Sequence, residues 1–442
     1  MMRIIINTYN YNSSNKKLAI SFSVEGGREI TSSGVVIDMS HLAFFVGKVP
    51  DCLIDFLYLS AIVYGIDRSF DRNIYSIDGW SRKFDVTFKL KESQIYENDC
   101  EQLNALLSFL TGDFWSTHFI PLQNDIDYPS IDIPELNNEF GQVNLFSGGM
   151  DSLIGAIDYL ATNNNGQLCL TSHYDQYMKG AKDDQRKLIR KFNDKYPNRF
   201  YHLPSVHIYP LQSKETTCRS RSLMFLSIAL LVAEYKYVGV VVPENGPVSL
   251  NFPLSVSRRA ACSTRTTHIL FINQLKIMLK NMGIDIPINN PYELKTKGAM
   301  VQNCVDRNYL LSILAESNSC GKRTTHQFMT DDPRATHCGR CMPCMYRKAS
   351  LLEYVDHTTY GIKMETLFSM GNKSCSNDFF AMLYYLKRNL SEEDIRRELR
   401  IEGLGKLHNI DQYVTLVQQT REELKELIRS EGTPEIKRFI GL

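Results

Sequence analysis

The amino-acid sequence predicts an α/β protein: a parallel sheet with helices on both faces, preceded by an α+β module and followed by a helical extension. Three observations carry this reading. From Val143 onward, short apolar runs alternate with longer segments of helical period. Residues 1–140 hold alternating, strand-like segments and two apolar helices instead. In residues 351–442 only helical periodicity remains. The expected divisions are therefore 1–140, 141–350 and 351–442.

In the first division, Ile4–Ile6, Leu18–Phe22 and Phe84–Phe88 read as strands. Cys52–Tyr64 and Glu101–Leu110 read as helices, the latter with Leu103, Leu107 and Leu110 on one stripe. Trp80 and Trp115 fit a core or an interface, and no catalytic motif occurs here. Gln123–Gly141, rich in Asp, Asn and Pro, has the composition of a linker.

In the second division the expected strands are Val143–Phe146, Leu168–His173, Tyr201–Tyr209 and Val238–Val242. Helices are expected near Asp183–Lys195 and Arg221–Tyr235. Open α/β sheets bind ligands beyond the carboxyl ends of their strands. That rule groups the loop after Phe146, His173 and Pro243–Gly246 around one cleft, with Glu244 and Asn245 facing a substrate. His173 and His207 read first as ordinary satisfied histidines; His173 joins the candidate nucleotide contacts by its place at a strand end.

The most informative stretch is Val143–Tyr159, VNLFSGGMDSLIGAIDY. It reads as strand, glycine loop and helix. Gly148 and Gly149 allow positive φ and close backbone approach. The helix beginning beside Asp151 turns its unpaired N–H groups toward the loop, an arrangement that binds phosphate. Ser147, Gly148, Gly149, Asp151 and Ser152 are the candidate ligands. A chance match to SGG-x-DS is expected in about one chain in a thousand of this length. The Walker pattern G-x-x-x-x-G-K-[ST] is absent.

Three polar clusters offer helpers. Thr217–Ser222 opens an apolar helix, either as N-caps or to present Arg221 to phosphate or carboxylate. Ser257–His268, SRRAACSTRTTH, is either a solvated loop or a substrate-gripping one, with Arg265 as its candidate contact. Glu293–Gly298 precedes a helix and presents Lys297 to phosphate or to solvent.

The chain has 11 cysteines. Cys338, Cys341 and Cys344 are spaced two residues apart in CGRCMPC, and Cys320 lies upstream. Four thiolates so spaced can close a tetrahedral zinc site or hold a [4Fe–4S] cluster, and His337 is an alternative ligand. Lys and Arg number 50 against 49 Asp and Glu, a net charge of +1 that indicates no nucleic-acid partner. The N-terminus carries no signal-peptide pattern, and the apolar run Leu223–Ala233 is too short to span a bilayer. The expectation is a soluble, cytoplasmic protein with no membrane partner.

SGG-x-DS is the pyrophosphate loop of the PP-loop ATPases, and the chain resembles that superfamily, which has the adenine nucleotide alpha hydrolase-like fold. The order of glycine loop, Ser220–Glu234 helix, Cys320 and CGRCMPC resembles the QueC family, the 7-cyano-7-deazaguanine synthases, over residues 141–350. The resemblance implies ATP and Mg²⁺ as reactants and Zn²⁺ held by Cys320, Cys338, Cys341 and Cys344. It also implies adenylation of 7-carboxy-7-deazaguanine, amide formation with ammonia, and a second activation that dehydrates the amide. Asp151, Ser152, Arg221 and Lys297 become the expected catalytic set. Where the family carries an Asn-x-x-Asp-Tyr-Ser-Gly-Tyr-like segment, this chain has Glu244–Asn251, and its helix opens with Ser-Arg-Ser.

The long layout is similar to the QueC-like component of the bacterial Qat anti-phage systems, which implies protein partners from the same system. The expected activity is thus adenylation of a carboxylated deazapurine and its transfer to an amine, either ammonia or one on a partner protein. The rivals are a tRNA-thiolating PP-loop enzyme and a non-catalytic nucleotide-binding scaffold. The helical tail, with Ser391–Asp394 as a capping sequence, is expected to pack back on the domain or form a dimer surface.

Overall fold

The computed structural model describes residues 2–26, 29–123, 139–163, 166–175, 180–217, 219–255, 258, 265–323, 329–407 and 409–442. Most of the expected linker, Cys218, and most of the Ser257–His268 loop lie outside the described residues. Among the described residues the fold is mixed α/β, with two sheets.

The first sheet has seven strands. β1 (Met2–Asn12), β2 (Lys17–Glu25) and β3 (Ser32–Asp38) form an antiparallel meander. β4 (Lys83–Leu90) and β5 (Phe114–Pro121) continue it in parallel beyond β1. In β4, Phe84, Val86, Phe88 and Leu90 are buried at alternate positions, the mark of a strand covered on one face.

The second sheet is all parallel. β6 (Phe140–Leu145) lies at its centre. β7 (Gln167–Thr171) and β9 (Phe200–His202) follow on one side. β11 (Val240–Val241) and β12 (Ile288–Asn289) lie on the other. The strand order therefore reverses between β6 and β11. That is the topological switch point where doubly wound sheets open a crevice.

Two expected strands are corrected. Tyr201–Tyr209 is broken at Leu203–Ser205, where Pro204 has no N–H to donate, and its halves enter different sheets. The second half, β10 (Val206–Pro210), pairs antiparallel with β3. Leu168–His173 likewise ends at Thr171, and His173–Tyr174 (β8) pairs with β10 in the first sheet. The first sheet thus crosses the boundary expected near residue 140.

Two helices fill the space between the sheets. Asp51–Ser69 lies on β3 and β10 and against the helix Arg221–Lys236, which lies on β6, β7 and β11. Both are apolar around most of their circumference, as a helix with no solvent face must be. One hydrophobic cluster runs from Ile4 and Phe22 through Phe56 and Leu230 to Val143 and Ile288.

Charged groups at the end of this layer are paired with one another. Asp67 and Asp113 receive the buried Arg82 guanidinium at 2.6 and 2.7 Å, and Arg72 donates to Asp113 at 2.7 Å. The guanidinium groups of Arg72 and Arg219 lie over the Trp80 ring, 4.9 and 4.7 Å from its centre. Ser220 gives both its hydroxyl (2.6 Å) and its N–H (3.2 Å) to Asp67. Its hydroxyl therefore anchors the Arg221–Lys236 helix to the first division rather than capping a helix N–H.

The C-terminal residues pack back. The helix Ile410–Glu431 buries Leu416, Leu424, Leu427 and Ile428 and lies on the helix Met342–Ser350. Ser391 and Asp394 form the capping box at the helix Glu392–Ile401. Among the described residues, no helix is long and apolar enough to cross a membrane.

Candidate functional site

β6 ends at Leu145, and the loop Phe146–Gly149 leads into the helix Met150–Thr162. Gly148 has φ +83°, where an L side chain is strained. Gly149 has φ −84°, which any residue can adopt. A Cβ there would lie 3.3 Å from Ser147 Oγ and 3.4 Å from the Asn318 carbonyl. Ser147 Oγ accepts the Gly149 N–H at 3.3 Å and lies 3.3 Å from Ser152 Oγ. Gln185, fully buried, donates to the Ser147 carbonyl at 3.3 Å and supports the loop from behind.

Across the switch point, the segment after β11 meets the same helix. Asn245 Nδ2 donates to Asp151 Oδ2 at 2.7 Å and to Glu244 Oε1 at 3.3 Å. Asn290, just past β12, fixes Glu244 by donating to its carbonyl at 2.8 Å. Pro243 sits directly over Gly155, where a Cβ would come within 2.6 Å of the ring.

The third contributor is Lys297, 3 % exposed, at the start of the helix Lys297–Gln302. Its Nζ lies 2.9 Å from Asp151 Oδ1 and 3.0 Å from Oδ2. Burial raises the pKa of Asp151, but Lys297 and hydrogen bonds from Glu244, Lys297 and Asn245 outweigh it, leaving the carboxyl below its usual range. Glu244 moves the other way: burial, then the Asp151 charge, pushes it well above the usual carboxylate value. The two carboxyl groups are thus driven apart, Asp151 toward the ionised form and Glu244 toward the protonated one.

The C-terminal extension secures Lys297. Thr296 caps its helix by accepting the Ala299 N–H at 3.0 Å, and the Thr296 hydroxyl donates to Glu423. The Gly298 N–H reaches the other Glu423 oxygen at 3.4 Å, and Tyr413 donates to Glu293 at 3.1 Å.

The four expected cysteines converge, with all Sγ atoms within 4.8 Å of one another. Cys341 and Cys344 are 3.4 Å apart, and Cys338 and Cys344 are 3.8 Å apart. Tetrahedral zinc with Zn–S bonds of about 2.3 Å places sulfurs about 3.8 Å apart, so the set fits that ion. Backbone N–H groups of Lys322 and Cys338 point at Cys320 Sγ (3.4 and 3.3 Å), and that of Arg340 at Cys338 Sγ (3.4 Å). Such donors stabilise thiolates. Hydrogen bonds from Cys320, Cys341 and Cys344 hold the Cys338 thiol well below its ordinary value.

His337 is not one of this set. Its Nε2 accepts the Ser319 N–H at 3.3 Å, so Nδ1 carries the proton that meets Thr336 Oγ1 at 2.9 Å. Burial, then Arg347, lowers its pKa to about 3, which keeps the ring neutral.

The thiol centre and the glycine loop are joined by consecutive residues. The Asn318 N–H donates to the Gly148 carbonyl at 3.0 Å, and Ser319 Oγ accepts the Met150 N–H at 3.2 Å. Asn318 Oδ1 accepts the Cys320 N–H at 2.9 Å. No sequence motif marked Asn318, Ser319, Gln185, Asn290 or Glu423. Only Ser319, beside Cys320, had a neighbour that drew attention.

The remaining candidates have other neighbours. His173 is fully buried between Tyr64 and Phe225, and its Nε2 meets the Ile208 carbonyl at 3.1 Å. Burial, then the Arg221 charge, takes its pKa well below the usual value. Arg221 lies over the Phe225 ring at 4.9 Å. Arg265 lies over Phe109 at 4.3 Å and pairs with Glu402 at 3.7 Å. His207 stacks between Tyr174 and Tyr209.

A cavity of about 260 Å³ opens beside the switch point, lined by Val242, Thr267, Asn273, Asn289, Asn290 and Glu293 among others. Asn290 links it to Glu244. Neither protein-family models nor curated proteins give a match to the chain.

Proposed function

We propose that the protein is a PP-loop enzyme of QueC-like type, which adenylates a carboxylated 7-deazapurine and passes the acyl group to an amine. The observation that carries this reading is the convergence of the glycine loop, Asp151 and Lys297 at the switch point of a parallel sheet. A carboxylate oxygen attacks the α-phosphorus of ATP and pyrophosphate leaves. The amine then attacks the acyl carbon, loses a proton and expels AMP. The first step builds negative charge on phosphate oxygens, which loop N–H groups, the helix N-terminus and the Lys297 ammonium are placed to stabilise. Magnesium, when bound, supplies further charge neutralisation.

The 260 Å³ cavity, with asparagine amides and apolar walls, suits a small heterocycle. Zinc at the four cysteines is structural, because all four positions are filled by protein. The amine is ammonia or one on a partner protein of the same anti-phage system, the latter giving a base–protein amide.

The test is ATP–pyrophosphate exchange dependent on 7-carboxy-7-deazaguanine, with Lys297→Ala as comparison. Exchange that falls at least about a hundredfold in the variant is expected, the scale for removing one stabiliser of developing charge. A folded, ATP-binding wild-type protein that shows neither exchange nor pyrophosphate release overturns the reading. Intact mass of a co-expressed partner then identifies the amine.

A further inference from the structure

The helix Met150–Thr162 begins with an N–H that is already engaged. The Met150 amide, first of the turn, donates to Ser319 Oγ at 3.2 Å. A hydroxyl in that position mimics an anion oxygen: it accepts from a helix-terminal N–H and keeps its own proton to give away. Ser319 is positioned through its neighbours on both sides. Its own N–H is held by His337 Nε2, its predecessor is bonded to Gly148, and its successor is Cys320. Just before this strap, Ser317 is gripped by the fully buried Arg347, which also donates to the Leu314 carbonyl. Arg347 stands on the helix Met342–Ser350 that carries Cys344. Both ends of the strap are therefore tied to the thiol centre.

We propose that Ser319 is a phosphate-binding residue of the glycine loop, held in place by the metal-loaded cysteine centre, so that nucleotide and metal bind cooperatively. This rests on the reading of the loop as a nucleotide site. When a phosphate oxygen takes the Met150 N–H, the Ser319 hydroxyl turns to donate to that oxygen. The strap is then fixed from both sides. Binding at either end orders the residues that the other end needs, which is a coupling between two sites and must be reciprocal.

The experiment measures two affinities in the full chain, with folding followed by circular dichroism. ATP affinity is compared between zinc-loaded and zinc-stripped protein, and zinc affinity, by competition with a chromogenic chelator, with and without ATP. Zinc is expected to tighten ATP binding at least about fivefold, and ATP to tighten zinc binding by the same factor. Ser319→Ala, which leaves the thiols untouched, separates the strap from general folding. It is expected to keep its zinc, weaken ATP binding about fivefold or more, and abolish most of the coupling. Wild-type ATP binding with unchanged zinc affinity overturns the coupling while leaving the nucleotide site standing. Unaltered ATP affinity in Ser319→Ala overturns the role of Ser319. Zinc-loaded protein that binds no ATP overturns both this inference and the reading beneath it.

Discussion

Lys297 Nζ lies 2.9 Å from Asp151 Oδ1, although the two residues are 146 positions apart in the chain. The pair is almost fully enclosed and joins the glycine-loop helix to the helix that the C-terminal extension supports. Its geometry sets the first expectation. Lys297→Met leaves the Asp151 carboxylate buried without its cation, and removing one partner of such a pair costs about 3 kcal/mol or more. Denaturant unfolding of Lys297→Met and of Lys297→Met with Asp151→Leu should show the single variant markedly less stable, with most of the loss recovered in the double variant.

Glu244 predicts a pH dependence. Its carboxyl is raised well above the usual value by burial and by Asp151, so the folded state holds that proton more tightly than the unfolded chain does. The contribution is complete below the ordinary carboxylate pKa and is lost as pH rises through the raised value. Asp151, being lowered, contributes in the opposite sense and loses its contribution as pH falls below the ordinary range. Glu244→Gln copies the neutral acid. Its unfolding midpoint should match the wild type at about pH 4 and below, and exceed it increasingly as pH rises above the ordinary carboxylate range.

The thiol centre predicts metal content and stability together. Purified protein should contain one zinc, with an X-ray absorption signature of four sulfurs at about 2.3 Å. Cys344→Ser should lose the metal and lower the unfolding midpoint, because binding free energy at a structural site is folding free energy. Iron in anaerobically purified protein would reassign the centre.

Glu423 is the test of the tail. It accepts from the Thr296 hydroxyl and the Gly298 N–H, and a Cβ on Gly298 would lie 2.5 Å from its carboxylate. Glu423→Ala should destabilise the protein by about 1–3 kcal/mol, the cost of leaving buried donors unpaired. The variant should also weaken ATP binding through Lys297, whereas loss of stability alone would point to simple packing.

Ser220 tests the first division. Its hydroxyl donates to the fully buried Asp67 at 2.6 Å, tying the Arg221–Lys236 helix to the Asp51–Ser69 helix. Ser220→Ala should cost about 2 kcal/mol, the scale of a hydrogen bond to a buried charge, with zinc content unchanged by metal analysis.

Much of this organisation was legible in the residues themselves. The strand–glycine–helix transition at Phe146–Met150 was readable because the glycine loop and the helical period are both local. The four cysteines were readable because metal geometry constrains their spacing. The break at Pro204 was written in the chain but masked by apolar residues on both sides. The strand expected at Val238–Val242 is present as β11, but β12, two residues long, was too short to show a period, and Ser319 and Glu423 act through partners that no local pattern names.

The sequence by itself determined the α/β character after Val143, the glycine loop, the four-thiol set and the helical tail, since each depends on periodicity or spacing within a few turns of chain. Tertiary structure alone decided that β10 joins the first sheet and that Asp151 pairs with Lys297. It alone also decided that His173 is enclosed by Tyr64 and Phe225 and that Ser319 spans from the thiols to the loop. Those outcomes depend on which distant surfaces must be buried together, and burial is settled by the whole chain at once.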